Sequence, residues 1–187
     1  DDDYMFYLET LSRFSKNYGP KELMKILLLS DSHSYLDAQV LDYCQACDEI
    51  WHAGDIGTLS LADSLAALKP LQAVYGNIDG EDIRKQYSED LWFEREGLLI
   101  WMTHIGGYPP RYNRRVKNIL EERVPDIFVC GHSHILKVVR DEARNGMLCL
   151  NPGPIGRQGF HKIRTMLRFE LSEGKIQRME VIELGKK

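Results

Sequence analysis

Residues 24–33, MKILLLSDSH, decide the fold of this chain. The run 26–29 is continuously apolar, which predicts a central β-strand covered on both faces. An Asp-x-His pair, Asp31 and His33, follows the run directly. The segment therefore predicts a buried strand with a carboxylate and an imidazole at its carboxyl end.

Helical and strand-like patterns alternate after this strand. Apolar spacing predicts a helix over 36–47, with Ser34 as its cap and Asp37 three residues later. The next segments are a strand at 49–52 before Gly54-Asp55, a helix at 58–68, and a strand at 71–75 before Gly76-Asn77. This order predicts a parallel sheet with right-handed crossovers. Its carboxyl edge would gather Asp31, Asp55 and Asn77.

The second half of the chain is richer in hairpins. Turn residues at Glu96-Gly97, Asn145-Gly146 and Glu173-Gly174 predict three hairpins, over 91–103, 137–150 and 165–184. A helix is expected at 111–123 and a buried strand at 126–130. The expected fold is α/β: a four-layer αββα sandwich in which two mixed sheets pack face to face with helices outside. Residues 24–187 would form a single domain, after an N-terminal extension at 1–23 that could form a short amphipathic helix and has no expected catalytic role.

Composition sets limits on the class of protein. The chain has 187 residues, 43% of them hydrophobic and 28% charged, with a formal net charge of -4. These values suit one soluble domain and give no general attraction to nucleic acid or anionic membranes. No apolar run approaches the roughly 20 residues that span a bilayer, and an acidic start is unlike a signal peptide. With Cys130 and Cys149 in strand-like runs, we expect a reducing, cytoplasmic location.

Five short segments supply the candidate metal ligands. Each could alone be an ordinary polar turn, since Asp, Asn and Ser favour turns. Together they place carboxylate, amide and imidazole groups after several strands, which indicates a two-metal pocket. Imidazoles favour manganese, iron, nickel or zinc over magnesium or calcium. The candidate ligands are Asp31, His33, Asp55, Asn77, His104, His132 and His134.

The order of these motifs resembles that of the calcineurin-like metallophosphoesterases: D-x-H, G-D, G-N, a lone H and G-H-x-H. More narrowly, it is similar to the small bacterial and archaeal phosphodiesterase branch of that superfamily. The supporting segments are His52-Ala53-Gly54-Asp55, Gly76-Asn77-Ile78-Asp79 and Asn151-Pro152-Gly153-Pro154. The resemblance runs from residue 24 to about 184.

The resemblance implies a hydrolase that uses two divalent ions, with manganese expected and nickel, iron or zinc as alternatives. One ion would be held by Asp31, His33, Asp55 and His134, and the other by Asp55, Asn77, His104 and His132. Asp55 would bridge them, and Asp55, Asn77, His104 and His132 would be catalytic. A hydroxide between the metals would attack phosphorus in line. The expected substrate is a small or nucleotide-derived phosphodiester.

The chain departs from the wider superfamily at Ile78, where many members carry a catalytic histidine. Asp79 and His52 are expected to orient ligands rather than to supply protons. Substrate contacts are expected from Arg111, Arg114 and Arg115, and more weakly from Arg157 and His161.

Two other functions compete with a phosphodiesterase. The small retromer subunit resembles the same branch, so a non-catalytic scaffold is one alternative. A nuclease is the other, although the acidic net charge argues against it. A homo-oligomer is also expected to be possible.

Overall fold

The computed structural model of the protein describes residues 23–187. The predicted N-terminal helix lies outside these residues. The described elements, in chain order, are β1 Met24–Leu29, α1 Ala38–Gln45, β2 Glu49–His52, α2 Leu59–Leu68, β3 Leu71–Ala73, α3 Glu81–Gln86, β4 Asp90–Arg95, β5 Leu98–Thr103, β6 Gly107–Tyr108, β7 Arg111–Tyr112, α4 Arg114–Glu122, β8 Ile127–Val129, β9 Lys137–Asp141, a 3₁₀ turn Glu142–Arg144, β10 Met147–Asn151, β11 Ile163–Ser172 and β12 Lys175–Lys186.

The first sheet has β1 at its centre, in the order β12-β11-β1-β2-β3. β1 pairs in parallel with β2 and antiparallel with β11, so the sheet is mixed. Residues 26–29 have no exposed surface, as the continuous apolar run predicts. Successive side chains alternate between faces, because Leu27 and Leu29 belong to one apolar cluster and Ile26 and Leu28 to another.

The second sheet has the order β4-β5-β8-β10-β9 and is also mixed. β5, β8 and β10 run in parallel, and antiparallel strands β4 and β9 flank them. Its inner face contributes Ile100, Ile127 and Leu150 to the cluster that contains Ile26 and Leu28. This shared cluster is the core between the two sheets.

Helices cover the outer faces of both sheets. α1, α2 and α3 pack on the first sheet through buried Val40, Leu65 and Ile83. α4 packs on the second sheet through Val116 and Leu120. The predicted four-layer αββα sandwich is therefore confirmed.

Local boundaries differ from the sequence-based expectations in several places. The cap of α1 is Asp37, whose side chain accepts a hydrogen bond from the Val40 amide, so Ser34 was the wrong residue. Helix α3 was not predicted, since its six residues are too few to show a clear apolar period. Helix α4 begins only at Arg114, because residues before Asn113 form the small β6–β7 hairpin.

The carboxyl ends of the parallel strands of both sheets meet at one end of the sandwich. The Gly131 amide, after β8, donates to the His104 carbonyl, after β5, at 2.9 Å. The His132 amide donates across to the Asp31 carboxylate, after β1, at 3.1 Å. This end of the sandwich therefore joins loops of both sheets. Within residues 23–187, no helix is both long and apolar enough to span a membrane.

Candidate metal centre

Six of the seven predicted ligands gather into two groups of three where the sheets meet. In each group, one candidate ligand atom per residue lies within 4.8 Å of the others. The first group is Asp31, His33 and His134, and the second is Asp55, His104 and His132. Asn77 is exposed after β3 and lines a cavity together with His104.

Asp31 has one satisfied and one unsatisfied carboxylate oxygen. Oδ2 accepts hydrogen bonds from the Ser30 hydroxyl at 2.7 Å and the His132 amide at 3.1 Å. Oδ1 is buried and has no hydrogen-bond partner among the described residues 23–187. It faces three imidazole Nε2 atoms at 3.2 to 4.0 Å, those of His33, His104 and His134.

Asp55 lies between the two groups. Its Oδ1 accepts a hydrogen bond from the Ile78 amide at 3.1 Å and is 3.2 Å from Nε2 of His104. Its Oδ2 is 3.6 Å from Nε2 of His33. Because His33 and His104 belong to different groups, Asp55 occupies the position that a shared ligand requires.

The His104 ring is oriented by a backbone carbonyl. Its Nδ1 lies 2.8 Å from the Ala53 oxygen, which can only accept, so Nδ1 carries a proton. In the neutral ring, Nε2 then carries a lone pair, and this lone pair faces the Asp55 carboxylate. Two lone pairs at this distance need a cation between them, either a proton or a metal ion.

The protonation preferences reflect this excess of negative charge. Burial opposes ionisation of Asp31 and Asp55, but the imidazoles that face the two carboxylates outweigh it and hold the pKa of both below the usual range. Burial also acts to lower the pKa of His104, but the Asp55 oxygen 3.2 Å from its Nε2 and the charges of both carboxylates raise it. Burial and the nearby His104 lower the pKa of His132.

This donor set fits divalent metal ions. Asp31 Oδ1, His33 Nε2 and His104 Nε2 are all buried, and none of them has a hydrogen-bond partner in the described part of the chain. Each such buried atom lowers the free energy of unfolding by about 1–3 kcal/mol unless a hydrogen bond or a metal ion satisfies it. Carboxylate oxygens and imidazole nitrogens facing a common point are ligands that manganese, iron, nickel and zinc accept.

The ligand residues also concentrate backbone strain. Five of them have positive φ angles, a backbone conformation that residues other than glycine rarely adopt. The angles are 52° at Asp31, 46° at His33, 55° at Asp55, 67° at His132 and 55° at His134. Strained backbone of this kind persists only where the surrounding structure enforces it, and it clusters at functional sites.

Asp79 clamps two of the ligand loops together. Its carboxylate accepts hydrogen bonds from the amides of Ile56 at 3.1 Å, Gly57 at 2.8 Å and Gly76 at 2.7 Å. The first two amides follow Asp55 and the third precedes Asn77. A Cβ atom at Gly76 would lie 2.0 Å from the Asp55 carboxylate, so only glycine fits there. Both carboxylate oxygens of Asp79 therefore already accept hydrogen bonds from the backbone.

Both ring nitrogens of His52 also form hydrogen bonds with the ligand loops. Its Nδ1 accepts from the Gly54 amide at 3.1 Å, and its Nε2 lies 2.8 Å from the Ser32 hydroxyl. That hydroxyl donates to the Ile56 carbonyl at 2.9 Å. Complete burial lowers the pKa of His52 to about 4, so the ring is neutral near pH 7.

Asn151 fixes the loop that carries His132 and His134. Its amide nitrogen donates to the Gly131 carbonyl at 2.9 Å and to the Ser133 hydroxyl at 3.1 Å. Its side-chain oxygen accepts from the Gly153 amide at 3.0 Å.

The predicted substrate arginines occupy different surroundings. Arg115 lines a cavity of about 390 Å³ beside His104 and Asn77. Its guanidinium already donates to Asp90 and to the Thr103 hydroxyl, both at 2.6 Å. Arg111 and Arg114 are exposed and do not line this cavity.

Sequence reasoning missed Arg84, which also lines this cavity. Arg84 donates to the carbonyls of Asp79 at 2.7 Å, Gly76 at 3.3 Å and Asn77 at 3.4 Å. Among residues 23–187, it has no carboxylate within salt-bridge distance. Its position in the unpredicted helix α3 explains why no sequence signal pointed to it.

Of the weaker candidates, His161 contacts a predicted ligand rather than open solvent. It lies against His134, with the two Nδ1 atoms 3.1 Å apart. Arg157 stacks over the Tyr35 ring, with its guanidinium carbon 4.5 Å from the ring centroid.

A four-layer αββα sandwich with two candidate metal-binding groups at its strand ends defines the metallophosphoesterase class of fold. The sequence profile of the calcineurin-like phosphoesterase superfamily domain matches residues 24–174. The chain therefore belongs to the calcineurin-like phosphoesterase superfamily, which confirms the predicted family.

Three relatives illustrate this membership. A protein of Methanocaldococcus jannaschii described as a "probable metallophosphoesterase" is 32% identical over 137 residues, covering 70% of this chain and 67% of that protein. The solution structure of a Thermotoga maritima protein matches with a TM-score of 0.67 and 25% identity, over 86% of this chain and 99% of the other. Wild-type Vps29 from Entamoeba histolytica, complexed with Zn²⁺, matches with a TM-score of 0.62 and 18% identity, over 86% of this chain and 99% of the other. The Vps29 likeness shows the fold alone.

We predict that Asp79→Asn lowers both stability and metal affinity. The substitution removes the negative charge and one of the two oxygens that accept hydrogen bonds from three backbone amides. The free energy of unfolding should therefore fall by roughly 3 kcal/mol. Urea unfolding of metal-free protein and metal titration measure the two effects. Asp42→Asn, at an exposed position of α1, is the matched control. Unchanged stability in Asp79→Asn would show that the clamp is unimportant.

Proposed function

We propose that this protein is a dimetal-dependent phosphodiesterase that hydrolyses small or nucleotide-derived phosphodiesters. The single observation that carries the proposal is that the buried carboxylates of Asp31 and Asp55 face imidazole Nε2 atoms at 3.2 to 4.0 Å. Within residues 23–187, three of these facing atoms have no hydrogen-bond partner: Asp31 Oδ1, His33 Nε2 and His104 Nε2. A protein that only needed the fold could replace these groups with apolar ones and avoid the cost of burying them.

The proposed ligand sets follow from the two groups. Asp31, His33 and His134 hold one ion with Asp55, which faces His33. Asp55, His104 and His132 hold the other, and exposed Asn77 completes this set from the loop after β3. Manganese is the proposed metal, with nickel, iron and zinc as alternatives, because imidazole and carboxylate donors suit these ions. Two divalent ions would supply Lewis-acid stabilisation of the phosphate and activate water as the nucleophile.

We propose that Arg84 binds an anionic part of the substrate. Arg84 lines the same cavity as His104 and Asn77, and its guanidinium donates to three backbone carbonyls and lies 4.5 Å from the centroid of the Tyr75 ring. Within residues 23–187, no carboxylate lies within salt-bridge distance of it. The neighbouring Arg115 is neutralised by Asp90, so Arg84 is better placed to attract a second phosphate. Arg111 and Arg114 could contact only the part of a longer substrate that extends beyond this cavity.

The side chain of Ile78 cannot protonate the leaving group. The Ile78 side chain is 45% exposed and apolar. His52 and Asp79 use their polar atoms to hold loops, as their hydrogen bonds indicate. Water would then protonate the leaving group, and esters with good leaving groups would react fastest.

A catalytically inactive scaffold receives less support. The likeness to Vps29 is compatible with either function because it concerns the fold. The retained donor set, with its unsatisfied buried atoms and strained backbone, supports catalysis instead.

The central test is a metal-resolved activity screen. Protein stripped of metal and reloaded with Mn²⁺, Ni²⁺, Zn²⁺ or Mg²⁺ should hydrolyse phosphodiesters faster than phosphomonoesters. His132→Ala should fall below about one hundredth of wild-type activity, since even residues that only orient ligands contribute about 10–100-fold. Lys117→Gln, at an exposed position of α4, is the control. Equal activity of wild type and His132→Ala would refute the proposal.

We predict that Ile78→His raises kcat on esters with poor leaving groups. A positioned general acid typically contributes about 100-fold or more, and a newly introduced one should contribute about 10-fold. The comparison uses alkyl and nitrophenyl esters of the same phosphate, with Ile78→Gln as a polar control that cannot donate as an acid. A similar gain on both esters, or in both variants, would contradict the general-acid explanation.

We predict that Arg84→Gln weakens binding of substrates that carry a second phosphate. KM should rise by about 10-fold for such substrates and remain nearly constant for simple diesters, because a charged hydrogen bond contributes about 1.5–3 kcal/mol. Lys117→Gln removes one positive charge at an exposed position of α4 outside the cavity and serves as the control. An equal change in KM for both substrate types would argue against a phosphate contact.

A further inference from the structure

His134, a proposed metal ligand, is connected to the protein backbone through a second imidazole. His161 lies on the loop between β10 and β11, and its Nδ1 is 3.1 Å from Nδ1 of His134. Nε2 of His161 is 3.0 Å from the Gly156 carbonyl oxygen. The ring of His161 therefore lies between a backbone acceptor and a ligand imidazole.

The direction of both hydrogen bonds follows from the carbonyl. A carbonyl oxygen only accepts, so Nε2 of His161 carries the proton and donates to Gly156. In a neutral ring, Nδ1 of His161 is then a lone pair and can only accept. The hydrogen between the two rings must come from Nδ1 of His134. The opposite tautomer of His134 would place two lone pairs 3.1 Å apart.

The consequence reaches the candidate metal centre. With its proton on Nδ1, neutral His134 has a lone pair on Nε2, and this atom lies 3.2 Å from Oδ1 of Asp31. We propose that His161 is a positioning residue that holds His134 in the Nδ1–H tautomer and leaves Nε2 free to bind a metal ion. The inference rests on the proposed function only in taking His134 as a metal ligand.

The surrounding backbone is built around this pair of rings. The Gly156 amide donates to the Asp31 carbonyl at 3.0 Å while its own carbonyl accepts from His161. Gly156 thus connects the backbone of Asp31 to His161 and, through it, to His134. Gly159 has a φ of +112°, and a Cβ atom there would lie 2.3 Å from Nδ1 of His134. A side chain at this position would push the two rings apart.

The first measurement is the tautomer of His134 in metal-free protein. Long-range ¹H–¹⁵N spectra of histidine-labelled protein at about pH 8, where an ordinary imidazole is neutral, distinguish protonated from unprotonated ring nitrogens. Wild type should show His134 protonated at Nδ1. In His161→Phe, which keeps a ring of similar shape without an acceptor, this preference should be lost. A wild-type His134 whose Nδ1 carries no proton would overturn the inference, whatever the protonation of Nε2, which faces the Asp31 carboxylate.

The second measurement is metal affinity by competition with a chelator. His161→Phe should bind Mn²⁺ or Zn²⁺ about 10–100-fold more weakly, the usual effect of losing a residue that orients a ligand. His161→Asn, whose side-chain oxygen can replace Nδ1 as an acceptor, should restore affinity to within about threefold of wild type. Phe160→Ala, at a fully exposed neighbour, is the control for disturbing the loop. Equal affinity in the Phe and Asn variants would overturn the inference.

These outcomes separate the inference from the proposed function. The tautomer is read without metal or substrate, so it can be established even in a protein that hydrolyses nothing. If the tautomer and affinity results are as expected and no phosphodiester is cleaved, only the proposed activity fails. If activity is found and His161→Phe behaves as wild type in both measurements, only the role of His161 fails.

Discussion

The buried Asp31 carboxylate is the constraint on which the rest of the site depends. Asp31 lies two residues after the central strand and has no exposed surface. Its Oδ1, which has no hydrogen-bond partner within residues 23–187, faces three imidazoles. A carboxylate in such surroundings is stable only if positive charge is supplied nearby. The neighbouring imidazoles can provide it by taking up protons, or the pocket can bind cations. The superfamily to which the chain belongs makes cations the more economical explanation.

Most of the fold could be predicted from the sequence because its strands are strongly apolar and short loops follow them. The run 26–29 specified a strand covered on both faces, and the hairpins at Gly97, Gly146 and Gly174 follow from local turn chemistry. The gathering of candidate ligands also followed, since parallel strands end at a common edge. Helix α3 and the β6–β7 hairpin were missed because each is too short to give a periodic signal.

The parts of the site that sequence could not predict are the contacts that position it. Asp79 follows a ligand motif, yet nothing in its spacing reveals that it accepts three amides from two loops. The left-handed backbone at Asp31 and Asp55 is equally invisible, since aspartate does not require it. His161 lies 27 residues from His134, and only the folded chain places their rings together. Long-range geometry of this kind is set by packing rather than by local propensity.

The same device recurs at four ligands: one polar atom is tied to the protein, and another faces the centre. Among the carboxylates, Asp31 Oδ2 accepts a hydrogen bond from Ser30, and Asp55 Oδ1 accepts one from the Ile78 amide. Among the imidazoles, His104 Nδ1 contacts the Ala53 carbonyl, and His134 Nδ1 contacts His161. A ligand held in this way loses little further freedom when an ion binds, so more of the coordination energy remains as affinity. The contact of His104, after β5 of the second sheet, with Ala53, after β2 of the first, crosses between the sheets, so the geometry of the centre depends on how the sheets pack. A change in the inter-sheet core around Leu28 could therefore weaken metal binding without touching any ligand.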